Sequence, residues 1–282
     1  MIKKLYPSFF YLLPITGQKV QIRSMLSHEE KVLLYAKESN EKDEMFDAIV
    51  QVTQNCLMND LDVLSLCMAD LLALYLKIRS LSISNMITVE YRDNDDGSTH
   101  EFDIDLDKIV PKLGSKPKKL MIDENTSILL KYPTATIKDF TVIDCIDSVF
   151  NGDEKIDFSK ESKEDQQTFL EDLPLTINEE VLKFAKKAPY LYYKIEYQNQ
   201  KKQDRKVELN TFEDFFILSM TNRSLKNYLQ MNFHFSKRTP WDINSLENLT
   251  PFERDTYLDF IIAEDKKNQL ATPSAMTAPN PR

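Results

Sequence analysis

The sequence predicts an α+β chain that is mostly helical. It reads as an N-terminal hairpin with three helices, a small antiparallel sheet insertion, and a C-terminal hairpin–helix unit. Three observations lead there. The stretch Leu61–Leu81 sets Leu64, Cys67, Met68, Leu71, Leu72, Tyr75 and Ile78 at i, i+3, i+4 spacing, and Leu66 and Leu74 widen that face. A helix covered on most sides is expected there, even though Asp70, Lys77 and Arg79 interrupt it. From Met86 the period changes to two, and Asp95-Asp96-Gly97 between alternating runs is a hairpin signal. Finally, only four glycines occur in 282 residues. That argues against an α/β nucleotide-binding fold, whose phosphate loops need several at fixed spacing.

The elements follow in order. Phe9–Leu13 and Lys19–Met25 are β-like runs joined by a turn at Thr16-Gly17. Ser27-His28-Glu29-Glu30 has the form of a capping box, with the Ser27 hydroxyl accepting from the backbone and Glu30 reaching back. The helix it opens is expected to run to about Ser39, and a second covers Asp43–Met58 before the Leu61 helix. Ile87–Tyr91 and Thr99–Ile104 flank the Asp-Gly turn, and Lys119–Ile122 and Thr126–Lys131 add strands. Thr136–Phe150 returns to helical spacing through Ile137, Phe140, Ile143, Ile146 and Val149, and Asn151-Gly152 supplies a stop. Asp153–Glu171 is charged enough to be a linker or a solvated helix. Thr176-Ile177-Asn178-Glu179 caps a helix that Pro189 ends. Tyr190–Tyr197 and Lys206–Leu209 form a hairpin, and Thr211 with Asp214 caps a helix bearing Phe212, Phe215, Phe216 and Leu218. Leu225–Phe235 is a further apolar segment. Thr250-Pro251-Phe252-Glu253 combines a capping box with proline at the first helical position. The expected units are 1–84, 85–152, a charged linker 153–175, 176–270, and a flexible tail 271–282.

Charge and composition narrow the function. A net charge of −9 argues against nucleic acid as a partner, because phosphate contacts need a basic face. No apolar run approaches the ~18 residues of a membrane span. Residues 1–14 place two lysines before a short apolar run without a small-residue cleavage site, and an extended lead-in strand is expected there. Cys56, Cys67 and Cys145 lie in apolar patterns without metal-ligand spacing and read as reduced core residues. His28, His100 and His234 have no cysteine or second histidine at ligand spacing. If Gly97 is set at the sixth position of a calcium loop, Arg92 falls at the first, where a carboxylate is required. A solvated turn is the default. No nucleophile elbow, phosphate loop or zinc-protease motif is present. No cofactor, metal or catalytic residue is therefore assigned. The tyrosines Tyr190, Tyr192, Tyr193 and Tyr197 could form a sugar or base platform, but alternating strand tyrosines more often pack a sheet face or a subunit contact.

Two stretches resemble the T4-like phage baseplate hub and hub-assembly proteins. The first is Leu12-Leu13-Pro14-Ile15-Thr16-Gly17-Gln18-Lys19-Val20 with Ile22-Arg23, then Glu29-Glu30-Lys31 and Leu33-Leu34. The second is Pro189-Tyr190-Leu191 with Lys194-Ile195-Glu196-Tyr197, then Val207-Glu208-Leu209 and Asp214-Phe215-Phe216. Leu225, Asn227, Tyr228, Asn232 and Phe233, then Pro251-Phe252-Glu253-Arg254 with Tyr257, are similar to the closing helices of these proteins. Some relatives carry paired cysteines between Tyr197 and Val207. Here Gln198-Asn199-Gln200-Lys201-Lys202-Gln203 stands instead, so no zinc knuckle is carried over.

The resemblance implies a non-enzymatic subunit of the baseplate hub of a contractile tail. Such a chain is assembled in the host cytoplasm and acts through contacts with other baseplate proteins or with itself. The same family includes assembly factors that leave before the particle matures. A tail hydrolase would need a catalytic carboxylate in an apolar pocket. The residues assigned as protein contacts are Tyr190, Tyr192, Phe215, Phe216, Phe233, Phe235 and Trp241, and ordinary core packing is the competing role for each.

Overall fold

The buried helix at the centre forms over Met68–Ser82, shorter than the Leu61–Leu81 stretch expected, because Val63–Ser65 is a separate 3-10 turn and Leu66 and Cys67 are extended. The computed structural model describes residues 6–135 and 141–271. Strands β1 (Ser8–Leu12) and β2 (Lys19–Arg23) form the first hairpin, followed by helices α1 (Ser27–Ser39), α2 (Lys42–Cys56) and α3 (Met68–Ser82). Leu71, Leu74, Tyr75 and Ile78 on α3 are fully buried. So are Asp70 and, almost entirely, Arg79. Their charges do not break the helix because each has fixed backbone partners. Asp70 accepts from the N–H groups of Ile15 (2.8 Å) and Thr16 (3.0 Å), which nails the β1–β2 turn to the core. Gly17, at φ 69°, closes that turn.

Strands β3 (Met86–Arg92) and β4 (Thr99–Asp105) pair antiparallel as a second hairpin, and the short β5 (Val110–Lys112) follows. Strands β6 (Lys119–Met121), β7 (Thr126–Leu130), β8 (Ile146–Asn151) and β9 (Glu154–Asp157) form an antiparallel sheet in that order. Helices α4 (Lys163–Glu171) and α5 (Leu175–Ala185) cover the same region. The chain then returns through β10 (Tyr190–Gln198) and β11 (Asp204–Leu209), giving the sheet order β11-β10-β5. It ends in α6 (Phe212–Ser219), α7 (Leu225–Arg238), α8 (Ile243–Glu247) and α9 (Pro251–Ala271).

The fold class needs correction. Helix makes up 46% and strand 24% of the described residues, in which there are four small antiparallel sheets, so the fold is a mixed α+β one and not mostly helical. The main source of the difference is Thr136–Phe150. Residues 136–140 lie outside the described residues, and the helix expected beyond them is a short 3-10 turn, Ile143–Cys145, running into β8. Strand β8 is central, and Ile146, Ser148 and Val149 are all buried. A strand covered on both faces loses its alternation and mimics a buried helix. The stretch expected as a linker or solvated helix carries β9 and α4, the latter capped by the Ser162 hydroxyl. The tail beyond Ala271 lies outside the described residues, as do residues 1–5 of the lead-in.

Two helix starts also differ. Helix α1 has Leu26, not Ser27, at its cap position, and Glu29, not Glu30, reaches back to the Leu26 N–H at 2.8 Å. Helix α5 begins at Leu175 after Pro174, so Thr176 lies inside its first turn. The Thr211–Asp214 and Thr250–Glu253 boxes form as their spacing predicts.

Two hydrophobic cores result. The first joins residues of the hairpin, α1–α3 and β3–β4 to Leu191, Phe215, Phe216, Met220 and Tyr228 from the later chain. The second lies wholly between Leu120 and Ala185. They are linked by a two-stranded neck, where the Ser115 N–H donates to the Lys187 carbonyl at 3.0 Å. A Cβ on Gly114 would land on that same carbonyl oxygen, with the Ala188 backbone just behind. Gly114→Ala is therefore expected to lose about 1–3 kcal/mol through displaced neck backbone. Thermal melting would show it, and an unchanged melting temperature would mean the two strands do not cross this closely.

Candidate functional site

The motif residues at the start of the chain meet those at its end around α1. Arg23, from the first strand pair, makes a two-pronged pair with Glu29 (2.7 and 2.8 Å) and donates to the Asn55 carbonyl. Burial works to raise the Glu29 carboxyl, but the Arg23 and Leu26 donors outweigh it and hold it below the usual range. Glu30, fully buried, receives Arg254 Nη2 at 2.7 Å and lies 3.1 Å from Arg223 Nη1. The Arg254 guanidinium also lies 4.4 Å from the Tyr228 ring centre. Lys31 pairs with Glu247 at 2.7 Å. All three residues of Glu29-Glu30-Lys31 are thus spent on internal ties, two of them to the C-terminal segment.

A second polar knot joins α3 to α6. The Tyr75 and Ser219 hydroxyls are 2.6 Å apart, and Arg79 donates to the Ser219 and Ser84 carbonyls. Burial pushes the Tyr75 phenol up to about 12 and the Arg79 guanidinium down to about 10. Asp70 is the deepest of these anchors, since its fully buried carboxylate holds the N–H groups of half-buried Ile15 and exposed Thr16. Asp70→Ala is expected to cost about 1–3 kcal/mol, mostly by leaving the half-buried Ile15 donor without its acceptor. Asp70→Asn should cost less, because its amide oxygen can still accept. Urea denaturation of the two variants checks the order, and equal losses would count against the clasp.

The two hairpin tips dock on each other. Asp93 accepts the Tyr197 hydroxyl at 2.8 Å, Asp96 accepts the Gln200 N–H at 2.8 Å, and Arg205 pairs with Asp93 and Asp95. The loop that invites a calcium reading therefore has its carboxylates engaged by protein donors. Among the described residues no group of three or more His, Cys, Asp or Glu stands where it could hold a metal ion. The β10–β11 loop is closed by Asn199, whose side chain bonds both the backbone and the amide of Gln203. All three cysteines are buried and free, and burial pushes the Cys67 and Cys145 thiols up to about 11.

The seven assigned contact residues fall into two groups. Phe215, Phe216 and Phe235 are enclosed by this chain and pack its core. Tyr190 and Phe233 are exposed, and Tyr192 and Trp241 are half-buried. Tyr190 and Tyr192 lie edge-to-face on the outer side of β10, with Lys112 Nζ 3.2 Å from the Tyr192 ring centre. Trp241 links core to surface: it stacks on Phe235 at 6.4 Å and meets Tyr257 edge-on at 4.9 Å, and Tyr257 in turn meets Phe260 at 6.4 Å.

Sequence reasoning missed several exposed apolar side chains. Phe10 (67% exposed) and Leu12 project from β1, Leu229 lies one turn before Phe233 on α7, and Phe260 (64%) lies on α9. The period-two phase of β1 carried the signal for the first pair, since Phe10 and Leu12 share one face of an edge strand.

A sequence model of a family described as T4 bacteriophage base plate protein matches residues 7–217. The matched stretch runs from β1 into α6 and stops before α7, α8 and α9. No curated protein and no solved structure matches the chain. Among the described residues no helix is long and apolar enough to cross a membrane.

Proposed function

Because this chain belongs to the T4 bacteriophage base plate protein family, we propose that it is a non-enzymatic structural subunit of the baseplate hub of a contractile tail. One observation carries the reading beyond the family itself. The charged motif residues are consumed by internal ties, while large apolar side chains are left on separate outer faces at Phe10 and Leu12, at Tyr190, and at Phe233 and Phe260. Internal charge pairing makes a rigid frame, and apolar groups left in water on several faces suit a protein that is covered by neighbours. The partners are other baseplate proteins, and the chain is built into the tail after folding in the host cytoplasm.

Quantitative mass spectrometry of purified infectious particles and of hub precursors from the same infected cells tests this. A small fixed stoichiometry to a baseplate subunit in mature particles is the expected result. Abundance in precursors with loss from particles makes the chain an assembly factor instead. Absence from both overturns the hub assignment.

A further inference from the structure

Beside the neck the chain leaves a cleft of about 800 Å³ between its two cores. Its floor is apolar, built from Ile15 of the β1–β2 turn, Leu130 and Tyr132 after β7, and Pro189 of the neck. Its rim is basic. Lys116 and Lys131 line it. Lys116 makes no ion pair among the described residues. Asp147 is the one acidic side chain among the lining residues, and it accepts the Ser148 hydroxyl at 2.7 Å. Leu113, at the mouth, is 78% exposed. In a chain of net charge −9, the lining of this apolar hollow thus sets two lysines against one aspartate.

These features select one kind of occupant. The hollow has room for a few side chains, not for a domain. Its lysines attract carboxylates, and its aliphatic floor takes a large apolar side chain from the same segment. A nucleic acid would meet the same lysines, but the aliphatic floor offers its bases a single aromatic ring for stacking. We propose that the neck cleft docks an acidic, extended segment of another tail protein. An apolar side chain of that segment sits against Ile15, Leu130 and Tyr132, and flanking carboxylates lie on Lys116 and Lys131. The assignment goes beyond the hub reading and holds equally for a retained subunit and for a departing assembly factor.

The test uses the full chain with Leu113 replaced by the photo-reactive p-benzoylphenylalanine, expressed during infection, irradiated, and mapped by mass spectrometry. The expected result is cross-linking to one segment of another tail protein in which Asp and Glu outnumber Lys and Arg. Its yield should fall at least about tenfold in K116E/K131E, the equivalent of about 1.4 kcal/mol of binding, and stay unchanged in K226E, a lysine on α7. Circular dichroism and melting temperature establish that the double variant is folded, and K116Q/K131Q, with the same expected loss, replaces it if it is not. Cross-links to neutral or basic segments, to a second copy of this chain, or to nucleic acid overturn the proposal. So does the absence of any cross-link, or a folded double variant that cross-links as well as its parent.

Discussion

Arg254→Ala should destabilise the chain by about 3–5 kcal/mol, a large share of the stability of an ordinary domain. Arg254 is 1% exposed and its partner Glu30 is fully buried, so removing the guanidinium leaves a carboxylate inside the protein without its buried hydrogen-bonding partner, with Arg223 at 3.1 Å and Arg79 within electrostatic reach. The damage comes from the under-compensated buried charge more than from the lost contact. Glu30→Gln combined with Arg254→Met should therefore cost less than Arg254→Ala alone, because no buried charge on α1 then depends on Arg254. Urea denaturation of the three proteins decides the matter. A loss under ~1 kcal/mol in the single variant, or a double variant that is worse than it, would refute the buried-pair argument. Because the pair joins α1 to the start of α9, the single variant should also release the C-terminal helix to proteolysis.

Phe216→Ala is expected to cost about 3–5 kcal/mol, and Phe215→Ala the same. Both side chains are fully buried in the first core, where α6 packs against α2 and α3. The cavity left by an aromatic ring there cannot collapse, since the Tyr75–Ser219–Arg79 knot holds α6 in place. Phe233→Ala is the matched control on an exposed position and should shift stability by no more than about 0.5 kcal/mol. If Phe233 is a subunit contact, that variant keeps its melting temperature and is depleted from assembled particles. Thermal melts paired with particle incorporation separate the two roles. A Phe233 variant that unfolds would place the residue in the core.

Local signals proved readable and long-range ones did not. The phase of α3, the Asp-Gly hairpin and the Thr211 and Thr250 capping boxes depend on neighbours within four residues, and the sequence displays those directly. Asp70 and Arg79 looked like interruptions of an apolar helix because their partners lie 55 and 140 residues away. The Ser27 box was misplaced by one residue for a similar reason: Glu30 is claimed by Arg254, 224 residues on, which leaves Glu29 to reach back. Phe233 and Phe235 could have been told apart by helical phase. Tyr228, Asn232 and Phe235 mark the inner stripe of α7, and Phe233 points away from it. The period of two put Phe10 and Leu12 on one face of β1, but that this face is left open is a tertiary fact.

The two cores also set an order in which the protein can come into being. Every residue of the second core has been synthesised once Ala185 leaves the ribosome, so that part can fold at once. The first core cannot close until Leu191, Phe216 and Tyr228 arrive, nor be locked until Arg254 does. At the usual rate of synthesis that gap is on the order of 4–14 seconds. Through it, α3 waits with its apolar faces open while a finished insertion already hangs from the middle of the chain. A nascent chain stalled in this window would present a folded module beside three sticky helices, the kind of species that chaperones hold and proteases remove.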